Sequence, residues 1–189
     1  MIRARDVMSQ NVITVTPETP VEELIGLIRA SHFTAVPVVD AEGRAIGLVA
    51  ETDILRALAY ILVPPQSGEF AVPPGGFEAA SPRDKSATVR LLRAAQRKDL
   101  TREVASVMQG LLKRTVHDLM TPVVISCRPD APLSEVCETL VWKEVHRVVV
   151  TDDENRVVGL ISSLDLARRF GEELQKIEGR PEDADATGA

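Results

Sequence analysis

The sequence predicts an α+β protein in which helices cover small sheets in the α/β manner. It comprises two repeats related by a pseudo-two-fold axis, each βαββα with a three-stranded sheet and two helices, plus a helical insertion between them. Three observations carry this. A shift of 112 positions lays residues 6–58 over 118–170 without a gap, and self-similarity of that length marks a duplicated structural unit. Within each copy, short β-type apolar runs alternate with stripes at helical spacing. Aromatic residues make up 3% of a chain that is 44% hydrophobic, so the core is built from Val, Leu, Ile and Ala.

The overlay matches Asp6 and Met8 with Asp118 and Met120, Pro17 and Pro20 with Pro129 and Pro132, and Val36, Val38 and Asp40 with Val148, Val150 and Asp152. It continues with Gly47, Leu48, Asp53 and Arg56 on Gly159, Leu160, Asp165 and Arg168. In the first copy Val12 to Val15 reads as an extended run that Pro17 and Pro20 break. The following helix carries Val21, Leu24, Ile25 and Ile28 at i, i+3, i+4, i+7; the second copy repeats the stripe as Leu133, Val136, Cys137 and Leu140. Val36 to Val39 is a buried-type strand, Asp40 to Gly43 a tight turn, and Ile46 to Val49 the returning strand. Second helices are expected near 53–62 and 165–177. A unit of about 55 residues cannot close such a core alone, so the copies must pack on each other. Cys127 and Cys137 overlay Val15 and Ile25, which reads them as reduced core residues, without disulfide or metal-ligand spacing.

The expected units are repeat 1 over 1–62, an insertion over 63–115, repeat 2 over 116–177 and a disordered acidic tail over 178–189. The insertion opens with a Pro/Gly-rich loop, 64–82. A helical arm over 83–114 follows, with Val104, Val107, Met108, Leu111 and Leu112 at helical spacing and Asp99 as a candidate cap. That arm holds nine basic residues against three acids in a chain of net charge −6. Its apolar stripe calls for a covering surface.

The sharpest local feature is Gly159-Leu160-Ile161-Ser162-Ser163-Leu164-Asp165, at a passage from strand to helix, echoed by Gly47-Leu48-Val49-Ala50-Glu51-Thr52-Asp53. Gly47 and Gly159 would let the backbone approach a ligand closely. An ionised Asp53 or Asp165 only accepts hydrogen bonds, which suits the two donor hydroxyls of a ribose, and the start of a helix favours an anion. Ser162 with Asp165 three residues later equally fits a helix capping box.

The duplication together with this motif resembles the CBS-repeat family, whose tandem pairs form Bateman modules. The matching features are Asp-x-Met, the paired prolines, Val36-Pro37-Val38-Val39-Asp40 and the Gly-to-Asp motif, and they cover about 110 of the 189 residues. The resemblance implies a regulatory sensor binding an adenosine-type nucleotide (AMP, ADP, ATP, S-adenosylmethionine or a cyclic dinucleotide) in clefts between the repeats. No other cofactor, no metal and no catalysis are implied. It assigns Asp165 and Asp53 to ribose, Ser162 to assist at ribose or phosphate, and His146 and Arg147 to phosphate, a task for which a planar guanidinium is suited. It also implies a homodimer and a regulated protein partner. On residues alone, His146 and Arg147 could equally be a solvated strand edge. Ala50 stands where the family has Ser or Thr, and Thr34 and Ala35 face His146 and Arg147 in the overlay. The family pattern places the cations opposite Asp53. On that pattern the Asp53 cleft suits a phosphorylated ligand, and the Asp165 cleft one of little negative charge.

Other functions are weaker readings. His32, His117 and His146 are the chain's three histidines, none with a ligand partner at i, i+4, and no nucleophile elbow or phosphate-cradling Gly-Lys-Ser appears. The longest apolar run, Ala57 to Val63, is seven residues, where a membrane helix needs about 20. With no basic-then-apolar leader, the chain reads as cytoplasmic. The competing classes are a structural dimerisation module with empty clefts, and partner or nucleic-acid binding through the basic arm 83–114, which the acidic net charge disfavours.

Overall fold

The computed structural model describes residues 1–31, 33–62 and 100–178. The Pro/Gly-rich loop, the arm up to Asp99, His32 and the tail from residue 179 lie outside the described residues.

Repeat 1 contains α1 (Val21–Ser31), β1 (Ala35–Val39), β2 (Ala45–Ala50) and α2 (Glu51–Leu62). β1 and β2 are antiparallel, with Ala35 opposite Ala50 and Val38 opposite Gly47. α3 (Leu100–Leu112) follows, between the two repeats. Repeat 2 contains β3 (Ser126–Cys127), α4 (Leu133–Trp142), β4 (Arg147–Thr151), β5 (Val157–Ser162) and α5 (Ser163–Glu178). Its sheet has the order β3-β4-β5, with β3 parallel to β4. The expected opening strand of repeat 1 is shorter than the sequence suggests. It shrinks to a parallel bridge in which Val15 N–H donates to Pro37 O at 3.1 Å and Val39 N–H to Val15 O at 2.9 Å. Val12 and Ile13 turn instead towards a cavity.

The hairpin turns are built alike. Asp40 Oδ1 accepts the N–H groups of Glu42 and Arg44 at 3.0 and 2.8 Å, and Asp152 Oδ1 those of Glu154 and Arg156 at 3.1 and 2.8 Å. Such Asx geometry is why Asp opens each turn. The two turns meet across the pseudo-two-fold: Ala45 N–H donates to Asn155 O at 2.9 Å.

The repeats also exchange their opening segments. A short 3₁₀ turn, Ala4–Asp6, donates its amides to repeat 2, Ala4 to Ala131 O and Arg5 to Pro129 O, both at 2.9 Å. Ser9 and Leu160 then pair reciprocally. The counterpart turn, Val116–Asp118, lies on repeat 1: Val116 N–H donates to Thr19 O at 2.8 Å, His117 N–H to Pro17 O at 2.9 Å, and Thr121 pairs with Leu48. This explains Asp-x-Met. Asp6 and Asp118 accept the N–H of Arg3 and Thr115 and close the turns, while Met8 and Met120 lie on the glycines of the opposite repeat. A Cβ at Gly47 would stand 2.9 Å from Thr121 O and 3.1 Å from Met120 Sδ, and one at Gly159 would run into Met8. The room left by these two glycines is taken by methionine, not held open for a ligand.

Two cores result. The first joins Leu24, Val36, Val38, Val49 and Ala57 to Leu111 of α3 and to Val116 and Leu119 of the exchanged segment. The second gathers Val136, Leu140, Val148, Val150 and Ile161 around Ala4. α3 packs on α1 and α2, so the arm's stripe is covered within the chain, at least where it reaches fully buried Leu111. Both cysteines are free thiols. Cys127 packs against the second core, where burial pushes its thiol up to about 11.

Gly159→Ala is expected to lower stability by about 1–3 kcal/mol, as overpacking does, and Met8→Ala in the same chain to restore part of the loss. Urea denaturation checks both, and an unchanged midpoint for Gly159→Ala would show that Met8 does not hold this space.

Candidate functional site

β5 runs into α5 without a linker, so Ser162 both ends the strand and caps the helix. Its N–H and its Oγ–H donate to Asp165 Oδ2 at 2.8 and 2.6 Å, and Asp165 N–H donates back to Ser162 Oγ at 3.2 Å. This is a reciprocal capping box with Asp in the usual place of Glu. The box occupies Oδ2. Oδ1 meets only Arg168, whose Nη1 lies 3.9 Å away, and the Asp165 side chain stays 19% exposed. One carboxylate oxygen, with both lone pairs, therefore faces outward.

It faces a cavity of about 340 Å³ between the repeats, within the size range of small-molecule sites. One wall is apolar, with Val12, Ile13, Phe33 and Leu160. His146, Arg147 and Arg168 supply cationic or potentially cationic groups, and Ser9, Ser31 and Ser163 supply hydroxyls. The backbone holds these walls together: His146 C=O accepts the Ser163 N–H at 3.0 Å, tying β4 to the start of α5, and the Ser9–Leu160 pair fixes the exchanged segment.

His146 and Arg147 thus line the same cavity as Asp165, together with Thr34 and Ala35. The family resemblance sets these groups opposite Asp53; in the structure they line this cavity, while Arg147 also bears on Asp53. The residues that open β1 and β4 meet at the pseudo-two-fold, where an Arg147 Nη2 donates to Thr34 Oγ1. A side chain at the axis serves both sides. Arg147 also senses Glu51 and Asp53, whose charges oppose the lowering that burial imposes on its guanidinium.

The counterpart carboxylate is differently placed. Ala50 has no hydroxyl to share, so Asp53 Oδ2 accepts only the Ala50 N–H, at 2.8 Å. Asp53 Oδ1 accepts Arg56 Nη1 at 2.8 Å, and the residue is 6% exposed. Burial pushes its carboxyl above the ordinary range, against the Ala50 N–H and the charges of Arg56 and Arg147. Phe33, Arg168 and the segment 9–13 were missed in the sequence. Arg168 had a signal, since it coincides with Arg56 in the repeat overlay and follows the Asp at i+3. The segment 9–13 had none, because it joins the site from the far end of the chain. A broader depression beside Arg3 and Arg128 offers less chemistry, since both guanidinia bond backbone carbonyls, of Asp130 and Thr151.

Among the described residues no group of His, Cys, Asp and Glu is disposed to hold a metal, and no helix is long and apolar enough to cross a membrane.

A cleft between two repeats that exchange their opening segments defines a tandem repeat pair. The family model for the CBS domain matches residues 4–60 and 116–172, and the chain belongs to that family. It is 25% identical over 163 residues to the uncharacterized protein MJ1426 of Methanocaldococcus jannaschii, covering 86% of this chain and 87% of that one. With the inosine-5′-monophosphate dehydrogenase of the same organism the identity is 23%, and the match spans 88% of this chain but only 23% of the enzyme. Among solved structures it is similar to the CBS domain pair of protein MJ0100 in complex with 5′-methylthioadenosine and S-adenosyl-L-methionine (TM-score 0.61, 21% identity, 92% and 98% of the two chains). It is likewise similar to CBSX2 of Arabidopsis thaliana in complex with AMP (TM-score 0.61, 20% identity, 91% and 98%).

Because the Asp53 carboxyl is raised, the folded chain holds that proton more tightly than the unfolded one. Its contribution to stability is therefore greatest below the ordinary value of 3.8 and declines as pH rises through the raised value. Asp53→Asn removes the decline, so the stability of the variant relative to the parent is expected to increase between about pH 3.5 and about pH 6. Paired denaturation curves across that range check this, and a difference that moves the other way would show Asp53 to be stabilised as the anion.

Proposed function

We propose that the chain is a regulatory module that binds a phosphorylated adenosine-type nucleotide in the cleft of Asp165. The observation that carries this reading is the outward-facing Asp165 Oδ1 beside an apolar wall and the Arg147–His146 pair. The oxygen accepts from the ribose hydroxyls, the wall of Val12, Ile13 and Phe33 covers the base, and Arg147, His146 and Arg168 meet the phosphate. The presence of AMP in the CBSX2 complex and of 5′-methylthioadenosine and S-adenosyl-L-methionine in the MJ0100 complex supports the ligand class. The nucleotide acts as a regulatory ligand, and the module consists of the repeats 1–62 and 116–177 with 63–115 between them.

Calorimetric titration tests the reading. AMP is expected to bind the parent more tightly than adenosine does. Asp165→Asn is expected to weaken AMP at least tenfold, because each charge-assisted hydrogen bond contributes about 1.5–3 kcal/mol. Arg147→Ala is expected to narrow the gap between AMP and adenosine. Binding of AMP to Asp165→Asn at parental affinity would overturn the assignment.

The module pairs with a second copy through the outer face of repeat 2. Phe170 is 65% exposed and Ile177 70% exposed one heptad apart on α5, and Trp142 at the end of α4 is 83% exposed, apolar side chains that a second copy would cover. Light scattering is expected to give twice the 20.6 kDa chain mass and to fall to the single mass for Phe170→Glu with Ile177→Glu. A parent that is monomeric at micromolar concentration would sink this reading.

A further inference from the structure

We infer that each chain takes one nucleotide and not two, because Arg56 closes the Asp53 cleft from within by occupying the carboxylate oxygen that its counterpart leaves open. The inference rests on the reading of the Asp165 cleft given above, and deepens it.

The two strand-to-helix junctions are built from matched residues, with an Asp three places into the helix and an Arg three places further on. In repeat 2 the Arg168–Asp165 separation is 3.9 Å and the arginine side chain is 68% exposed. In repeat 1 the Arg56–Asp53 separation is 2.8 Å, with side chains 25% and 8% exposed. The chemistry of the cap accounts for the difference. Ser162 donates twice to Asp165, so that carboxylate has its charge met on one oxygen, and its arginine stays in water. Ala50 donates once to Asp53, and the more deeply buried carboxylate draws its arginine onto the other oxygen.

A ribose offers neutral hydroxyl donors. To reach Asp53 it must displace either the helix-capping N–H or a guanidinium that is largely withdrawn from water, and separating a partly buried ion pair for neutral donors is unfavourable. At Asp165 Oδ1 it meets no close partner to displace, since Arg168 Nη1 stands 3.9 Å away. Arg147 reinforces the asymmetry: it lines the Asp165 cavity, and its charge also bears on Asp53. Asp53 is thus surrounded by cationic groups of the chain itself. Its role is to hold the start of α2 and to balance part of the charge of the axis arginine, which lines the one competent cleft.

Titration of the full-length protein with AMP reads the stoichiometry directly. The parent is expected to bind one AMP per chain, Asp165→Asn to lose that event, and Asp53→Asn to keep it within about threefold of parental affinity. If Asp53→Asn proves too unstable to titrate, the parent stoichiometry and the Asp165→Asn result still decide. Two AMP per chain, or one that persists in Asp165→Asn, would overturn the inference while leaving a nucleotide-binding module in place. Absence of binding by AMP, ADP, ATP and S-adenosylmethionine to the parent would instead refute the underlying reading and the inference with it.

Discussion

The exchange of opening segments between the repeats is the constraint on which the rest of the structure depends. Ala4 completes the core of repeat 2, and Val116 and Leu119 complete that of repeat 1. Each segment also adds backbone hydrogen bonds to an edge that would otherwise meet solvent. The two halves cannot slide or separate without exposing buried apolar surface and orphaning these amides together. The cavity inherits that rigidity, because the segment 9–13 that walls it is pinned to Leu160 on one side and continues into the Val15 bridge of repeat 1 on the other.

Symmetry supplies the frame, and small departures from it supply the function. One hydroxyl, present at Ser162 and absent at Ala50, determines whether a carboxylate presents an open oxygen or an internal ion pair. The replacement of Thr34 and Ala35 by His146 and Arg147 in the second copy gives the axis its cations. Since the axis position is shared, a single arginine there reaches a hydroxyl of the opposite repeat, lines the Asp165 cavity and bears electrostatically on Asp53. The two strand-to-helix junctions thereby differ in how their carboxylates are paired and exposed.

Local pattern made the helices, the β1–β2 and β4–β5 hairpins and the duplication legible in the sequence, since all of these follow from apolar spacing and turn chemistry within a few residues. The segment exchange was not legible. The Asp-x-Met motif was visible in both copies, but nothing in it says on which repeat the methionine lies, and Gly47 and Gly159 were accordingly read as ligand-facing. The strand-to-helix junctions that carry Asp53 and Asp165 are legible from the sequence, and at Ser162 the capping box coexists with an Oδ1 that has no close partner. The distribution of cations was misjudged, because which residues stand at a pseudo-two-fold axis depends on how two sheets pack. The stripe of α3 is legible, yet its partner surface on α1 and α2 lies about forty residues or more away in sequence.

A lone copy of this repeat would lack an edge that it cannot supply to itself. Its opening segment points away from its own core, so in solution it could close only by trading segments with an identical neighbour. The present chain is what such a traded pair becomes once its halves are joined end to end. With both halves in one chain, neither copy has to be its own mate, so a serine can stand in one and an alanine in the other. A pair of identical copies would carry two identical pockets and could not alter one of them alone.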